Sequence, residues 1–529
     1  MIRQRSRSLR ALPMLAGLLA CVPSVAQPAS APSSPAATLA VDATEAPRQI
    51  LHAHLTLPVS AGPLTLYYPK WIPGEHGPTG PLADLTGLRF RMGNTTLAWR
   101  RDPVDMYALH LDVPAGASEL AIDLDFLNPT EQGNFTAGAS STPELSVISW
   151  NTLVLFPQGR SADDLPYTAS LKLPAGWTYA TALPVDSAGG SEGTVRFKTA
   201  SLTTLIDSPV IAGAHLKKIP VAEAPLHEID LVADSSAALD TPADFAALYG
   251  NMVAETGALF GARHYRDYHW LVTLSDKVQH FGLEHHESSD DRVDEPTLGD
   301  AARRRGLAGL LAHEFAHSWN GKYRRPAGLV DPDYHEPMRG DLLWVYEGLT
   351  EYLGYLLPAR SGWWTPEQYR EEVAATAAAL DHEPGRTWRP LADTAVAAQL
   401  LYGSAHAWGS WRRGTDFYEE SLLLWIEVDM LIRQESHGKR SLDDFCRLFY
   451  GRPGGAPALK PYTFDDLVTA LGQVAEHDWR GFFTARLESL DPHAPLGGIR
   501  LAGWKLAYDD TPNQAITDRE ARAKWYDWT

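Results

Sequence analysis

Cysteine is almost missing from this chain. Cys21 and Cys446 are the only two in 529 residues, which excludes a disulfide framework. Positive charge is scarce as well: 46 Lys and Arg stand against 65 Asp and Glu, for a net charge of −19. A surface this acidic argues against binding a phosphate backbone or an anionic membrane, so no nucleic-acid partner is expected. No run of apolar residues is long enough to span a bilayer, and no transmembrane segment is expected. What remains is a globular composition, 44% hydrophobic and 21% charged. It excludes a disordered or fibrous protein, and the length suits two or three domains.

The start of the chain reads as an address. Arg3, Arg5, Arg7 and Arg10 precede a short apolar stretch at 12–22 (LPMLAGLLACV), and Ser24-Val25-Ala26 places small residues at a cleavage site. That pattern predicts a signal peptide over 1–26 and an exported protein, periplasmic or extracellular. Leu18-Leu19-Ala20-Cys21 also resembles a lipoprotein cleavage box, which would make Cys21 a lipid anchor. Residues 27–39 are rich in Pro, Ala and Ser and read as a flexible tether. Cys446 reads as a buried helix cysteine, since nothing near it in sequence would activate a thiol.

Two textures follow. From 40 to 220, short alternating runs are broken by Gly, Pro and Asn; 52–57, 107–113, 120–126 and 153–156 are examples. They predict an antiparallel β-domain. From 221 to 490, long Ala/Leu/Glu/Arg stretches recur at helical period, at 242–260, 300–320, 341–358, 366–380, 417–435 and 464–488. Among them 268–274 (YHWLVTL) reads as a buried strand. Residues 491–529 are expected to be a C-terminal tail. The fold class is therefore multidomain α+β, an N-terminal antiparallel β-domain followed by a mainly helical domain.

The chemistry concentrates at 307–319 (LAGLLAHEFAHSW). His313 and His317 are four positions apart, so both imidazoles share one helical face and can reach one metal ion, with Glu314 beside them to act on a metal-bound water. Zinc suits two nitrogens and a carboxylate with one open position, and it brings bound water to a pKa of about 7. His and Glu interrupting an apolar helix also need partners. Two carboxylates compete for the third ligand position. Glu336 lies in a Pro/Gly-broken loop, 331–340 (DPDYHEPMRG), whereas Glu347 lies in a second helical stretch, 342–355 (LLWVYEGLTEYLGY). A helix presents a carboxylate rigidly, so Glu347 is the expected ligand. Glu351, one turn later, is then placed to hold a metal-bound imidazole; an ordinary solvated glutamate is the other reading.

HEFAHSWNGKYRRP at 313–326, followed by WVYEGLTEY at 344–352, resembles the glycyl aminopeptidase family of gluzincin metallopeptidases. Trp71-Ile72-Pro73-Gly74, Gly282-Leu283-Glu284-His285 and 417–433 (FYEESLLLWIEVDMLIR) resemble further elements of that family. The resemblance implies a thermolysin-like zinc peptidase domain, one Zn2+ per chain and peptide substrates with a free N-terminus. It implies that Glu284 anchors the substrate ammonium, that backbone amides around Gly282 and Leu283 steer the substrate, and that Tyr418 is the catalytic tyrosine that stabilises the oxyanion. This sequence departs from the family at Ser421, where relatives commonly carry glycine. It departs again after 496–499 (LGGI), where too few residues follow for the usual PDZ domain.

The expected activity is a secreted zinc aminopeptidase that removes small N-terminal residues, Gly or Ala, by a zinc-activated water. An endopeptidase on the same zinc core is the nearest alternative. A binding protein with structural zinc is a more distant one, because structural sites normally have four protein ligands. Arg324 and Arg325 are expected to pair with nearby acids; a substrate carboxylate or phosphate-like group is the other reading. Trp363, Trp364, Trp388, Trp408, Trp411 and Trp425 crowd the second half, mostly as core, with some expected to wall a small cleft.

Overall fold

The computed structural model describes residues 35–526 apart from 132, 134, 188–192, 405–406 and 453, so the span expected to be a signal peptide, Cys21 and most of the expected tether lie outside the described residues. The first strand, Ala37–Asp42, begins inside the span expected to be tether. It starts where alternation starts: Ala37, Leu39 and Val41 face the core and their neighbours face out.

Nine strands build the main sheet of the N-terminal domain. Ile50–Pro58 shows why they form. Leu51, Ala53, Leu55 and Leu57 are buried, while His52 and His54 point away and bond Asp125 and Asp123 across the ladder at 2.6 and 2.7 Å. Period two puts one set of side chains in the core and the other in solvent. The sheet is antiparallel with one exception, a correction to the expectation: Ala37–Asp42 runs parallel to Pro166–Lys172. Sheets of four and three strands complete the domain. The strand expected at 153–156 is instead a short 3-10 turn, Trp150–Thr152, leading into Phe156–Pro157. Its apolar residues are buried without a ladder.

The expected boundary at 220 falls inside a strand. His215–Glu223 and Leu226–Ala233 form a hairpin that opens the five-stranded sheet of the second domain, so the switch comes at 214. Tyr268–Leu274 lies in the middle of that sheet and is buried on both faces. Phe281–Glu284 is the edge strand, antiparallel to Ser288–Val293. The helices Phe245–Phe260, Ala301–His317, Leu343–Ser361, Pro366–Asp381 and Glu419–Glu435 follow the helical period of the sequence. The stretch expected as one helix at 464–488 is two, Phe464–Val474 and Trp479–Leu487. Ala475 is extended, and the Asp478 side chain caps the second helix by accepting from the Gly481 amide at 3.0 Å. The expected tail is packed onto the domain. Gly497–Leu501 lies so close to Glu419–Glu435 that a Cβ at Gly498 would stand 2.5 Å from the Glu427 amide nitrogen, and Arg519 pairs with Glu372 at 3.0 Å.

The two domains exchange aromatic side chains. Trp71 is buried in the core of the helical domain, and Tyr334 is buried in the core of the β-domain. The Tyr334 carbonyl accepts from the amides of Lys70 and Trp71, both at 2.9 Å. This fixes the segment that begins at Trp71 against the helical domain.

Candidate active site

Asp300 caps the helix Ala301–His317, its carboxylate accepting from the Arg303 amide at 2.9 Å. Two aromatic side chains of the central strand hold the helix end. Trp270 donates its indole N–H to the Leu311 carbonyl at 3.0 Å, and Tyr268 its hydroxyl to the Glu314 carbonyl at 3.2 Å. Small residues then let Leu343–Ser361 approach. A Cβ at Gly354 would meet the His313 Cβ at 3.1 Å, and one at Gly348 would meet the Ser421 Cβ at 2.1 Å. The tight packing at the Ser421 turn is therefore accommodated by Gly348 on the opposite helix.

This packing brings His313, His317 and Glu347 together. The two Nε2 atoms are 3.1 Å apart, and Oε2 of Glu347 stands 3.3 Å from His313 and 3.2 Å from His317. Nδ1 of His317 donates to the Asn320 carbonyl at 2.8 Å, and Nδ1 of His313 faces Glu351 Oε2 at 2.9 Å. With the ring protons on Nδ1, two nitrogen lone pairs and a carboxylate oxygen face one another in a buried space, an arrangement that needs a cation at its centre. Tetrahedral ligands 2.0–2.1 Å from a zinc ion stand about 3.3 Å apart, so the donor set fits zinc. Burial works against a charged imidazole at His313, but Glu347 and Glu351 outweigh it and raise its pKa well above the ordinary histidine value. Burial likewise works against a charged Glu347, and His317 and His76 reverse that, holding its carboxyl well below the usual range.

Glu314 is buried next to the triad. Burial, together with the charges of Asp291, Glu284 and Glu347, raises its carboxyl well above the usual range against the pull of His313. Glu284 sits on the sheet edge, 3% exposed, and accepts from the Tyr346 hydroxyl. Oxygens of Glu284 and Glu314 and a ring nitrogen of His317 lie within 4.8 Å of one another. Gly282 leaves space for the Glu314 carboxylate, since a Cβ there would stand 2.2 Å from Oε1. Leu283 is buried. Tyr418 lies at the N-cap of Glu419–Glu435, its ring 6.0 Å from that of His313 and its hydroxyl 2.5 Å from that of Tyr402. Burial and the charge of Glu347 raise its pKa well above the ordinary phenol value, so it stays a neutral donor.

Glu336, the competing carboxylate, is exposed in a loop whose amides at 335 and 336 are capped by Asp333, and it does not join the triad. Among the described residues Arg324 has no ion pair with an acid. Its guanidinium lies 3.9 Å from the ring centroid of Phe449 and 5.5 Å from that of Tyr462, and Arg325 donates to the Gly321 carbonyl at 2.8 Å. Cys446 is buried, and burial pushes its thiol well up. Trp364 and Trp425 are core residues, while Trp388, Trp408 and Trp411 are exposed. Three residues at the site were not singled out from the sequence: His76, Tyr346 and Tyr402. The first lies two positions beyond Trp71-Ile72-Pro73-Gly74 and the second immediately before Glu347. Nearness to a motif was the only available signal.

A β-rich domain ahead of a helical domain, with an HExxH helix facing a glutamate helix, defines a peptidase. Family models support this directly: the M61 glycyl aminopeptidase model matches residues 306–424 and the peptidase M61 N-terminal domain model matches residues 38–214, together more than half of the chain. The chain belongs to the M61 glycyl aminopeptidase family. Its fold is similar to the crystal structure of an aminopeptidase N family protein from Idiomarina loihiensis, with a TM-score of 0.73 at 18% identity over 88% of this chain and 78% of that one. No match was found among curated proteins.

Proposed function

We propose that this protein is a zinc aminopeptidase that removes small N-terminal residues from peptides. The observation that carries the reading is the set of three donor atoms 3.1–3.3 Å apart with the buried carboxylates of Glu314 and Glu284 beside it. His313, His317 and Glu347 would hold zinc, which when bound polarises the scissile carbonyl and acidifies a water. Glu314 takes the proton of the attacking water and returns it to the leaving amine. The Tyr418 hydroxyl donates to the developing oxyanion. Glu284 accepts from the substrate ammonium and so favours a free N-terminus. The preference for Gly or Ala is supported by membership of the family.

Release of p-nitroaniline from Gly- and Ala-p-nitroanilide, with and without a chelator and beside the N-acetylated compounds, tests the reading. Chelator-sensitive turnover of the free amines alone is expected. The Glu284→Gln variant should then lose discrimination between free and acetylated substrates. Equal turnover of the blocked substrates by the unaltered enzyme would make it an endopeptidase and remove the role of Glu284.

A further inference from the structure

The β-domain contributes a side chain to the proposed metal centre. The segment 71–77 (WIPGEHG) leaves the β-domain with Trp71 buried in the helical core. Glu75 anchors it from behind, its buried carboxyl accepting from the Thr136 hydroxyl at 2.5 Å and from the hydroxyl of Thr79. Gly74 passes over the candidate amine anchor in the left-handed region at φ +94°, and a Cβ there would stand 2.5 Å from Glu284 Oε2. Only glycine combines that backbone with that clearance. The segment then delivers His76, whose side chain is 2% exposed and whose Nε2 hydrogen-bonds Oε1 of Glu347. The other oxygen, Oε2, is the one that faces His313 and His317.

The two oxygens of Glu347 thus have separate partners. A carboxylate beside a cation can bind through one oxygen or two and can rotate between these modes. A hydrogen bond to one oxygen leaves only the other for the metal, which preserves the open position a hydrolytic site requires. We propose that His76 is a positioning residue that holds Glu347 in single-oxygen coordination, so that the metal centre is complete only with the β-domain docked. This rests on the zinc reading above, but not on the choice of substrate.

Zinc affinity decides it, measured on the full chain by competition with a chromogenic chelator. His76→Ala should bind zinc about 10- to 100-fold more weakly, the usual cost of removing a group that orients a ligand. His76→Gln places an amide N–H near the position of Nε2 and should recover most of the loss. Both metal-free variants should melt like the metal-free wild type. Activity of His76→Ala should fall at limiting zinc and stay below wild type at saturating zinc, because Glu347 is then free to fill the open position with its second oxygen. Unchanged affinity in His76→Ala would overturn the assignment. So would equal weakening in both variants together with lowered metal-free melting, which would mark a merely structural side chain. Should His76→Ala fail to fold, the comparison of His76→Gln with wild type still decides: near-native affinity supports the role, and affinity as weak as a ligand deletion refutes it. A wild type that binds no zinc removes the metal reading and this proposal together. A wild type that binds zinc tightly yet cleaves no peptide removes only the aminopeptidase reading.

Discussion

Nδ1 of His313 stands 2.9 Å from Oε2 of Glu351, which follows Glu347 by one helical turn. One helix therefore supplies both a carboxylate for the proposed metal site and the carboxylate that faces another of its proposed ligands. His317 takes its orientation from a backbone carbonyl, that of Asn320 at 2.8 Å, which no substitution removes. The asymmetry makes Glu351 the testable half. Glu351→Ala should lower zinc affinity by about 10- to 100-fold. Zinc content after dialysis against graded chelator is the measurement, and retention equal to wild type would mean that Glu351 is only a solvated glutamate.

Glu314 should separate chemistry from metal binding. Its carboxylate lies outside the His313, His317 and Glu347 donor set, so Glu314→Gln should keep its zinc. It should lose turnover of Ala-p-nitroanilide by about 10²- to 10⁴-fold, the range for removal of a general base. The elevated pKa of Glu314 is caused first by burial and then by Asp291 and Glu284. Zinc-replete Glu314→Gln with intact turnover would refute the assigned base.

How much of this was legible beforehand depended on sequence distance. The shared face of His313 and His317 follows from helix geometry alone, and Glu347 follows from being on the next amphipathic helix. Strict alternation at 52–57 exposed the strand Ile50–Pro58 and its core face together. Pairing partners carried no such signal. Nothing local tells Ala37–Asp42 to lie parallel to Pro166–Lys172, and nothing tells His76 to reach a glutamate 271 positions away. Side-chain partners misled at Arg324, where the ring of Phe449 took the place expected for an acid. No helix cap was read from the sequence, so the stretch at 464–488 reads as one helix although Ala475 is extended and Asp478 caps a second one.

Tyr418 and Tyr402 should differ in what their hydroxyls contribute. They are 2.5 Å apart, with the Tyr418 ring 6.0 Å from that of His313 and tilted 34° to it. Tyr418→Phe removes the donor to the oxyanion and should lower kcat by about 10²- to 10³-fold with little change in KM. Tyr402→Phe leaves that donor in place and should cost much less. Steady-state kinetics on one free-amine anilide suffices. If the larger loss followed Tyr402, the oxyanion role would pass to that residue.

Acid should weaken the fold through His227, a residue outside the site but packed under its helix. The imidazole is fully buried, with Nδ1 donating to the Pro225 carbonyl at 2.9 Å and Nε2 accepting from the Tyr265 hydroxyl at 2.8 Å. Its ring meets Phe315 of the HExxH helix edge-on at 5.8 Å. Both ring nitrogens are satisfied in the neutral form, and burial lowers the pKa from 6.5 to about 4, with Arg263 and His269 adding to the shift. The unfolded chain takes a proton near 6.5 that the folded chain refuses until about 4. Protons therefore favour unfolding throughout that window, and stability is lost as pH falls through it and levels off below. The contribution is at most about 3 kcal/mol at the bottom of the window. Urea unfolding of the metal-free protein keeps loss of zinc from His313 and His317 out of the comparison. Between pH 6.5 and 4 the wild type should lose more stability than His227→Gln by up to that amount, and parallel curves for the two proteins would show that His227 is not the group responsible.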